Sequence, residues 1–242
     1  MHAAEMAGKL TGWLQEQLKA RGAKGFVVGL SGGVDSAVTA ALCQRACPQD
    51  TLGVIMPCHS NPQDAVDARE VAEAFGLPVV EVNLDGPFEL MVEKLTGKPY
   101  SPGQKDLPIA NIKPRLRMIT LYFFAARNRY LVAGTGNRSE LAVGYFTKYG
   151  DGGVDLLPIG NLVKSQVREL AAYLGVPRRI IEKPPSAGLW AGQCDEEEMG
   201  ITYGELDEFL LTGKGSARVR EVVERLAACN AHKGELPARP PF

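Results

Sequence analysis

The sequence predicts an α/β protein built on a doubly wound, mostly parallel sheet with helices on both faces. Three observations carry that expectation. Short apolar runs alternate with helical patterns of about 10–15 residues, as strand–helix–strand units require. The first run ends in a serine- and glycine-rich turn that leads directly into a helix. The composition, 45% hydrophobic and 23% charged over 242 residues, suffices to bury one sizeable core.

Each element follows from its pattern. Met6, Leu10, Trp13, Leu14 and Leu18 recur at helical spacing and predict an opening surface helix. Residues 26–30 read as a short buried strand, 34–46 as a helix with Pro48 just past its end, and 52–56 as a second strand ended by Pro57. A helix over 64–75 closes on Gly76, and a third strand covers 79–82. The Pro/Gly-rich stretch 96–108 reads as a loop. Helix resumes over 112–129, with Pro114 tolerated only in its first turn, and a fourth strand covers 130–133. The 17 residues from Gly144 to Gly160 are glycine-rich and polar, a length of irregular chain that is uncommon unless functional or disordered. Helical patterns return over 163–174, 203–211 and 217–229. The crossovers are expected to be right-handed. No internal repeat or linker breaks the chain, so residues 1–242 are expected to form a single domain.

Composition excludes several functions. Twenty-seven Lys and Arg against 28 Asp and Glu give a net charge of −1, which argues against a broad nucleic-acid surface. No apolar run approaches the roughly 18 residues of a membrane span. The amphipathic N-terminus, with Glu5 and Glu16, suits neither a signal peptide nor an Arg-rich transit peptide. Five cysteines with no CxxC pair, and three histidines, give no zinc spacing, and they read as reduced thiols of a cytoplasmic protein. The charge is nonetheless divided. Between Lys105 and Arg138 there are seven basic residues and one acid, whereas residues 61–95 hold eight acids and two bases. Such a split can form a local anion site or a solvated basic helix face, and for Arg117, Arg127 and Arg129 both readings stand.

The first chemical motif is Gly29, Leu30, Ser31, Gly32, Gly33, Val34, Asp35 and Ser36. Glycines at a strand-to-helix turn let successive backbone N–H groups converge on one anion near the helix N-terminus. The lysine of a P-loop is missing, and so is the Gly-x-Gly-x-x-Gly dinucleotide pattern. A carboxylate, Asp35, stands there instead. Beside a polyphosphate it is repulsive unless a Mg²⁺ shares the oxygens of both; in the other reading it is an acid at a helix N-terminus, stabilised by the dipole. Glu140, in the run from Gly134 to Glu140 after the fourth strand, offers a second carboxylate at the same sheet edge, or else a capping-box partner of Asn137.

The string GLSGGVDS resembles the pyrophosphate loop of the N-type ATP pyrophosphatases, enzymes that adenylate a carboxyl or carbonyl oxygen and let a nitrogen or sulfur nucleophile displace AMP. Within them the chain resembles the NAD synthetases, over roughly residues 25 to 240. Residues 111–115 (NIKPR) are similar to their Asn-x-Lys-Ala-Arg motif, with Pro114 in place of the alanine. Residues 144–155 (GYFTKYGDGGVD) match their flap motif almost letter for letter. Residues 183–190 and 192–196 resemble their P-[ST]-A-x-L and GQTDE segments, with Cys194 in place of the threonine. Cys194 has no histidine partner in a recognisable pattern and is not expected to be a nucleophile.

The resemblance implies an adenine nucleotide alpha hydrolase-like, Rossmann-like fold and a ligase that amidates nicotinic acid adenine dinucleotide (deamido-NAD) with ammonia through an acyl-adenylate. It implies ATP contacts from the 29–36 loop, Thr135, Lys164 and Ser186, and deamido-NAD contacts from Arg115, Lys148, Asp155, His232 and Lys233. Mg²⁺ on Asp35 and Glu140, catalytic roles for Asp35, Lys148 and Lys164, and a homodimer are implied as well. The alternative is another enzyme of the superfamily that amidates or thiolates a different substrate. With the phosphate loop beginning at residue 29, a glutaminase domain is not expected ahead of it. The nitrogen donor is then free ammonia, or ammonia from a separate glutaminase. Neither a nucleic acid nor a membrane partner is expected.

Overall fold

The computed structural model describes residues 2–103, 105–190 and 192–242. Its twelve α-helices and four strands run in the order α1 (Ala3–Arg21), β1 (Gly25–Leu30), α2 (Val34–Ala46), β2 (Thr51–Ile55), α3 (Pro62–Ala74), β3 (Val79–Glu81), α4 (Asp85–Thr96), α5 (Leu107–Ala110), α6 (Ile112–Asn128), β4 (Tyr130–Ala133), α7 (Arg138–Val143), α8 (Lys164–Leu174), α9 (Arg178–Ile181), α10 (Asp195–Met199), α11 (Tyr203–Thr212) and α12 (Ala217–Asn230), and a single 3₁₀ turn (Ala231–Lys233) follows. The described strands form one sheet of order β3-β2-β1-β4, parallel throughout.

Alternation along β1 assigns the two faces. Phe26, Val28 and Leu30 join a core with α1, α2 and α8, while Val27 packs on the opposite side with Phe88 and Val92 of α4 and Ala125 of α6. Helices therefore cover both faces, and buried β1 reads as a continuous apolar run. A third cluster, with Val143, Tyr203, Leu206, Val219 and Val223, holds α7, α11 and α12 together beyond the β4 edge. Because β1 lies between β2 and β4, the chain leaves its carboxyl end toward opposite sides, and the loops after β1 and β4 open into one crevice.

Several boundaries differ from the sequence reading for identifiable reasons. Helix α3 begins at Pro62 because Asn61 caps it, its side chain accepting from the Gln63 N–H. Helix α4 stands where no element was expected. Gly86 and Pro87 in its first turn mask the start, and only Phe88 and Val92 are buried, so its stripe is narrow. Asp106 caps a single turn, α5, at the end of the stretch read as loop. The short helices α7, α9 and α10 also lie in stretches given no helix, each too brief to show a period. Residues 144–160 are irregular as expected, and they rejoin the sheet through a parallel bridge between Leu156 and Ala133.

Candidate active site

The 31–36 loop is tied to itself by hydrogen bonds. The Ser36 hydroxyl donates to the Gly33 carbonyl at 2.9 Å and accepts from the Ser31 N–H at 3.3 Å, and the Gly33 N–H donates to the Ser31 hydroxyl. Gly32 sits at φ +75°, and a Cβ there would lie 2.5 Å from the Asp64 carbonyl oxygen, so glycine is required on both counts. Gly33 is the N-cap of α2 in extended geometry, which aims the first helical N–H groups at the crevice. Thr135 is half-buried and lies two residues beyond the end of β4.

Both expected metal carboxylates converge, and a lysine stands between them. Lys164, first residue of α8 and 3% exposed at its side chain, donates to Asp35 Oδ2 at 2.5 Å and to Glu140 Oε1 at 3.3 Å. Its ammonium also lies 4.8 Å from the Tyr203 ring centre. The remaining oxygens are used too. Asp35 Oδ1 accepts from the Asn137 carboxamide at 2.9 Å, and Glu140 Oε2 accepts from the Asn137 N–H, closing a capping box. Glu140 is thus both a helix cap and a member of the charged cluster, so its two readings hold together. Burial, with the Asp35 charge beside it, pushes the Glu140 carboxyl up to about 7 against the attraction of Lys164. Burial works against the Lys164 ammonium, and the two carboxylates outweigh it and raise its pKa.

Most of the residues expected to contact deamido-NAD lie together elsewhere on the rim. Thr147 donates to the Asn111 carboxamide oxygen at 2.8 Å, and Arg115 donates to the Lys148 carbonyl at 3.3 Å, so the NIKPR and flap motifs meet. Gly150 permits that approach, because a Cβ there would be 3.0 Å from Pro114. Lys148 donates to the His232 carbonyl, and Lys233 donates to the carbonyls of Gly144 and Phe146 at 2.8 and 3.0 Å. Arg115, Lys148, His232 and Lys233 therefore gather into one basic corner. Asp155 stands apart: it accepts from the Val132 N–H at 2.8 Å and from the Tyr122 hydroxyl at 3.2 Å, tying the end of the flap to β4.

Residues 183–190 and 192–195 are tethered from several elements. The Lys113 ammonium, 1% exposed as a residue, donates to the Leu189 carbonyl at 2.7 Å. Asp195 accepts from the Ala187 N–H at 2.8 Å and from the hydroxyls of Tyr145 and Tyr203. Tyr203 also donates toward Glu140 at 3.3 Å, so this network touches the charged cluster. Ser186 is exposed, and its hydroxyl accepts a local bond from the Gly188 N–H. Cys194 is an unremarkable free thiol beside this network.

Sequence reasoning gave no role to Lys113, Lys183 and Asp195, although they lie within the quoted motifs, and it passed over Tyr203 and Asp207. Asp207 is the clearest case: 5% exposed, it accepts from the N–H groups of Lys164 and Ser165 and from Ser139, and so caps α8 and fixes where Lys164 starts. Its partner is 43 residues away, so no local spacing could show it. Among the described residues no cluster of three or more His, Cys, Asp or Glu converges to hold a metal, and no helix is long and apolar enough to cross a membrane.

The family model described as NAD synthase matches residues 6–235. An NH(3)-dependent NAD(+) synthetase of Carboxydothermus hydrogenoformans is 55% identical over 237 residues, covering 98% of this chain and 97% of the relative. Among solved structures, an NMN synthetase from Francisella tularensis superposes with a TM-score of 0.94 at 39% identity, covering all of both chains. A NAD+ synthetase from Burkholderia pseudomallei gives 0.80 at 31% identity, covering 98% of this chain and 91% of that one. With the match running nearly end to end, the chain belongs to the NAD synthase family.

Proposed function

We propose that the protein is an ATP-dependent ligase that joins ammonia to the carboxylate of deamido-NAD and yields NAD⁺, AMP and pyrophosphate. The observation that carries this reading is the pairing of Asp35 and Glu140 on Lys164 beside the self-tied phosphate loop, with a basic corner on the same rim. A pyridine carboxylate resists ammonia directly. Its oxygen first attacks the α-phosphorus of ATP, the bond to pyrophosphate breaks, and a mixed anhydride forms. Ammonia then attacks the carbonyl carbon, the C–O bond to AMP breaks, and the surplus proton leaves to solvent. The loop N–H groups and Lys164 hold the departing pyrophosphate, which is electrostatic stabilisation. The flap from Tyr145 to Asp155, pinned on Asn111 and Arg115, keeps water from the anhydride. No covalent enzyme intermediate is required.

Asp35 and Glu140 fit Mg²⁺, since two hard carboxylate oxygens already converge on one cationic point. Asp35 and Glu140 would hold the ion, and it would supply positive charge to offset that developing on pyrophosphate. The described residues act as one synthetase domain fed with ammonia, free or passed on by a separate glutaminase. Free thiols suit a cytoplasmic setting. A homodimer is supported by an apolar face on α4 and α6, where Leu95, Ile119 and Phe123 are 68%, 60% and 57% exposed beside a groove of about 450 Å³ with Arg115 at its rim.

A second reading, amidation of nicotinic acid mononucleotide, is favoured by the higher TM-score of the Francisella NMN synthetase. The deciding assay offers each acid separately with ATP, Mg²⁺ and ammonium, and measures amide and AMP. NAD⁺ from deamido-NAD at the higher kcat/KM supports the first reading. Preference for the mononucleotide selects the second, and no amide from either acid sinks both.

A further inference from the structure

Lys183 has no part in the chemistry above, yet it links three pieces of the site. Its ammonium donates to Asp64 Oδ1 at 2.8 Å and Asp67 Oδ2 at 2.6 Å, and it reaches the Gly32 carbonyl at 3.4 Å. Gly32 is the left-handed apex of the phosphate loop and already rests on the Asp64 backbone. Asp67 is 3% exposed and is shared with Arg179, so its position is fixed from two sides. Three residues after Lys183 comes Ser186, whose exposed hydroxyl is a candidate ATP contact. Pro184 and Pro185 lie between them and stiffen that short connection.

We infer that Lys183 is a positioning residue for ATP: it sets the Ser186 segment at a fixed distance from the phosphate loop and neutralises the two carboxylates behind that loop. This rests on the reading of the 31–36 loop as the ATP site. Two effects follow from one side chain. Without its ammonium, Asp64 and Asp67 leave net negative charge against a loop that must receive a polyphosphate. Without the tether, Ser186 no longer has a defined place over the nucleotide.

The test is ATP–Mg²⁺ binding by calorimetry, without the second substrate, on wild type, Lys183→Met, Ser186→Ala and the double variant, each checked by thermal melting. Lys183→Gln replaces Lys183→Met if the latter does not fold. Losing a charge-assisted contact of this kind is expected to weaken ATP by about tenfold or more. The effect of Ser186→Ala should shrink in the Lys183→Met background, because an unpositioned hydroxyl contributes little. Lys183→Arg should recover most of the affinity. Wild-type affinity in the Lys183 variant overturns the inference, and so does strict additivity with Ser186→Ala. Failure of the wild type itself to bind ATP overturns the reading on which the inference rests.

Discussion

Replacing Lys164 with methionine isolates the electrostatics of the cluster, because the stem is kept and only the ammonium is lost. The side chain is 3% exposed, and each carboxylate partner is 17% exposed. Removing one member of a buried pair and stranding the other costs about 3–5 kcal/mol, and here two carboxylates are stranded together. For a chain of this size each kcal/mol moves the melting temperature by about 2–4 °C, so ligand-free Lys164→Met should melt roughly 6–20 °C lower at pH 8. The sign with pH follows from Glu140. Its folded pKa, about 7, lies above the ordinary 4.5, so its charge penalises the folded state at high pH. That penalty is relieved as pH falls through 7 and is gone below 4.5. Losing Lys164 raises the Glu140 pKa further, so the deficit should be widest at pH 8 and shrink toward pH 5. Mg²⁺ should raise the melting temperature of the variant more than that of wild type, since the ammonium no longer stands between the carboxylates. Differential scanning fluorimetry across pH, with and without Mg²⁺, measures all of this. A variant that melts with wild type at pH 8, or whose deficit grows on acidification, refutes the argument.

Other substitutions probe separate parts of the site. Asp35→Asn should keep the fold, as judged by circular dichroism, and abolish turnover; near-normal activity removes Asp35 from the metal. Gly32→Ala combines left-handed strain with a 2.5 Å collision against Asp64 and should cost about 2–5 kcal/mol in a denaturant titration. Gly76→Ala, at φ +59° with open space around it, supplies the control and should cost only about 1–2 kcal/mol. Lys233→Met cuts two bonds to the flap carbonyls and should let water reach the adenylate, so the ratio of AMP formed to amide formed should rise above that of wild type. An unchanged ratio separates Lys233 from flap closure.

What could be read from the sequence was what the chain decides locally. The run from Gly25 through Ala46 declared a strand, a phosphate turn and a helix because apolar residues, glycines and helix formers follow one another without a gap. Helix α6 was legible for the same reason, Pro114 falling in its first turn. Helix α4 was not, since a Gly-Pro start and two buried side chains leave little periodicity. Strand β3, expected over 79–82, was legible and spans Val79–Glu81, although its three residues are exposed at the sheet edge and only its pairing with β2 fixes its place. At the site, residues within motifs could be named while the pairings between them could not. Lys164 and Asp35 are 129 residues apart and Lys183 and Asp67 are 116, and such pairings exist only once the helices have docked.

Those long-range pairings change how ligand binding must be described. The cations around the site already have partners: Lys164 has two carboxylates, Lys183 behind the loop has two more, and Lys148 and Lys233 hold backbone carbonyls. Holding them this way lowers the cost of ordering long side chains when a substrate binds. It also means that ATP cannot simply add contacts at Lys164. A polyphosphate that draws the ammonium away from Asp35 and Glu140 exposes two carboxylates to each other, a penalty that a divalent ion on the same oxygens offsets. Nucleotide and metal binding should therefore be coupled through Lys164: ATP alone should bind weakly, Mg²⁺ alone should compete with the ammonium, and the two together should bind more tightly than the sum of their separate free energies.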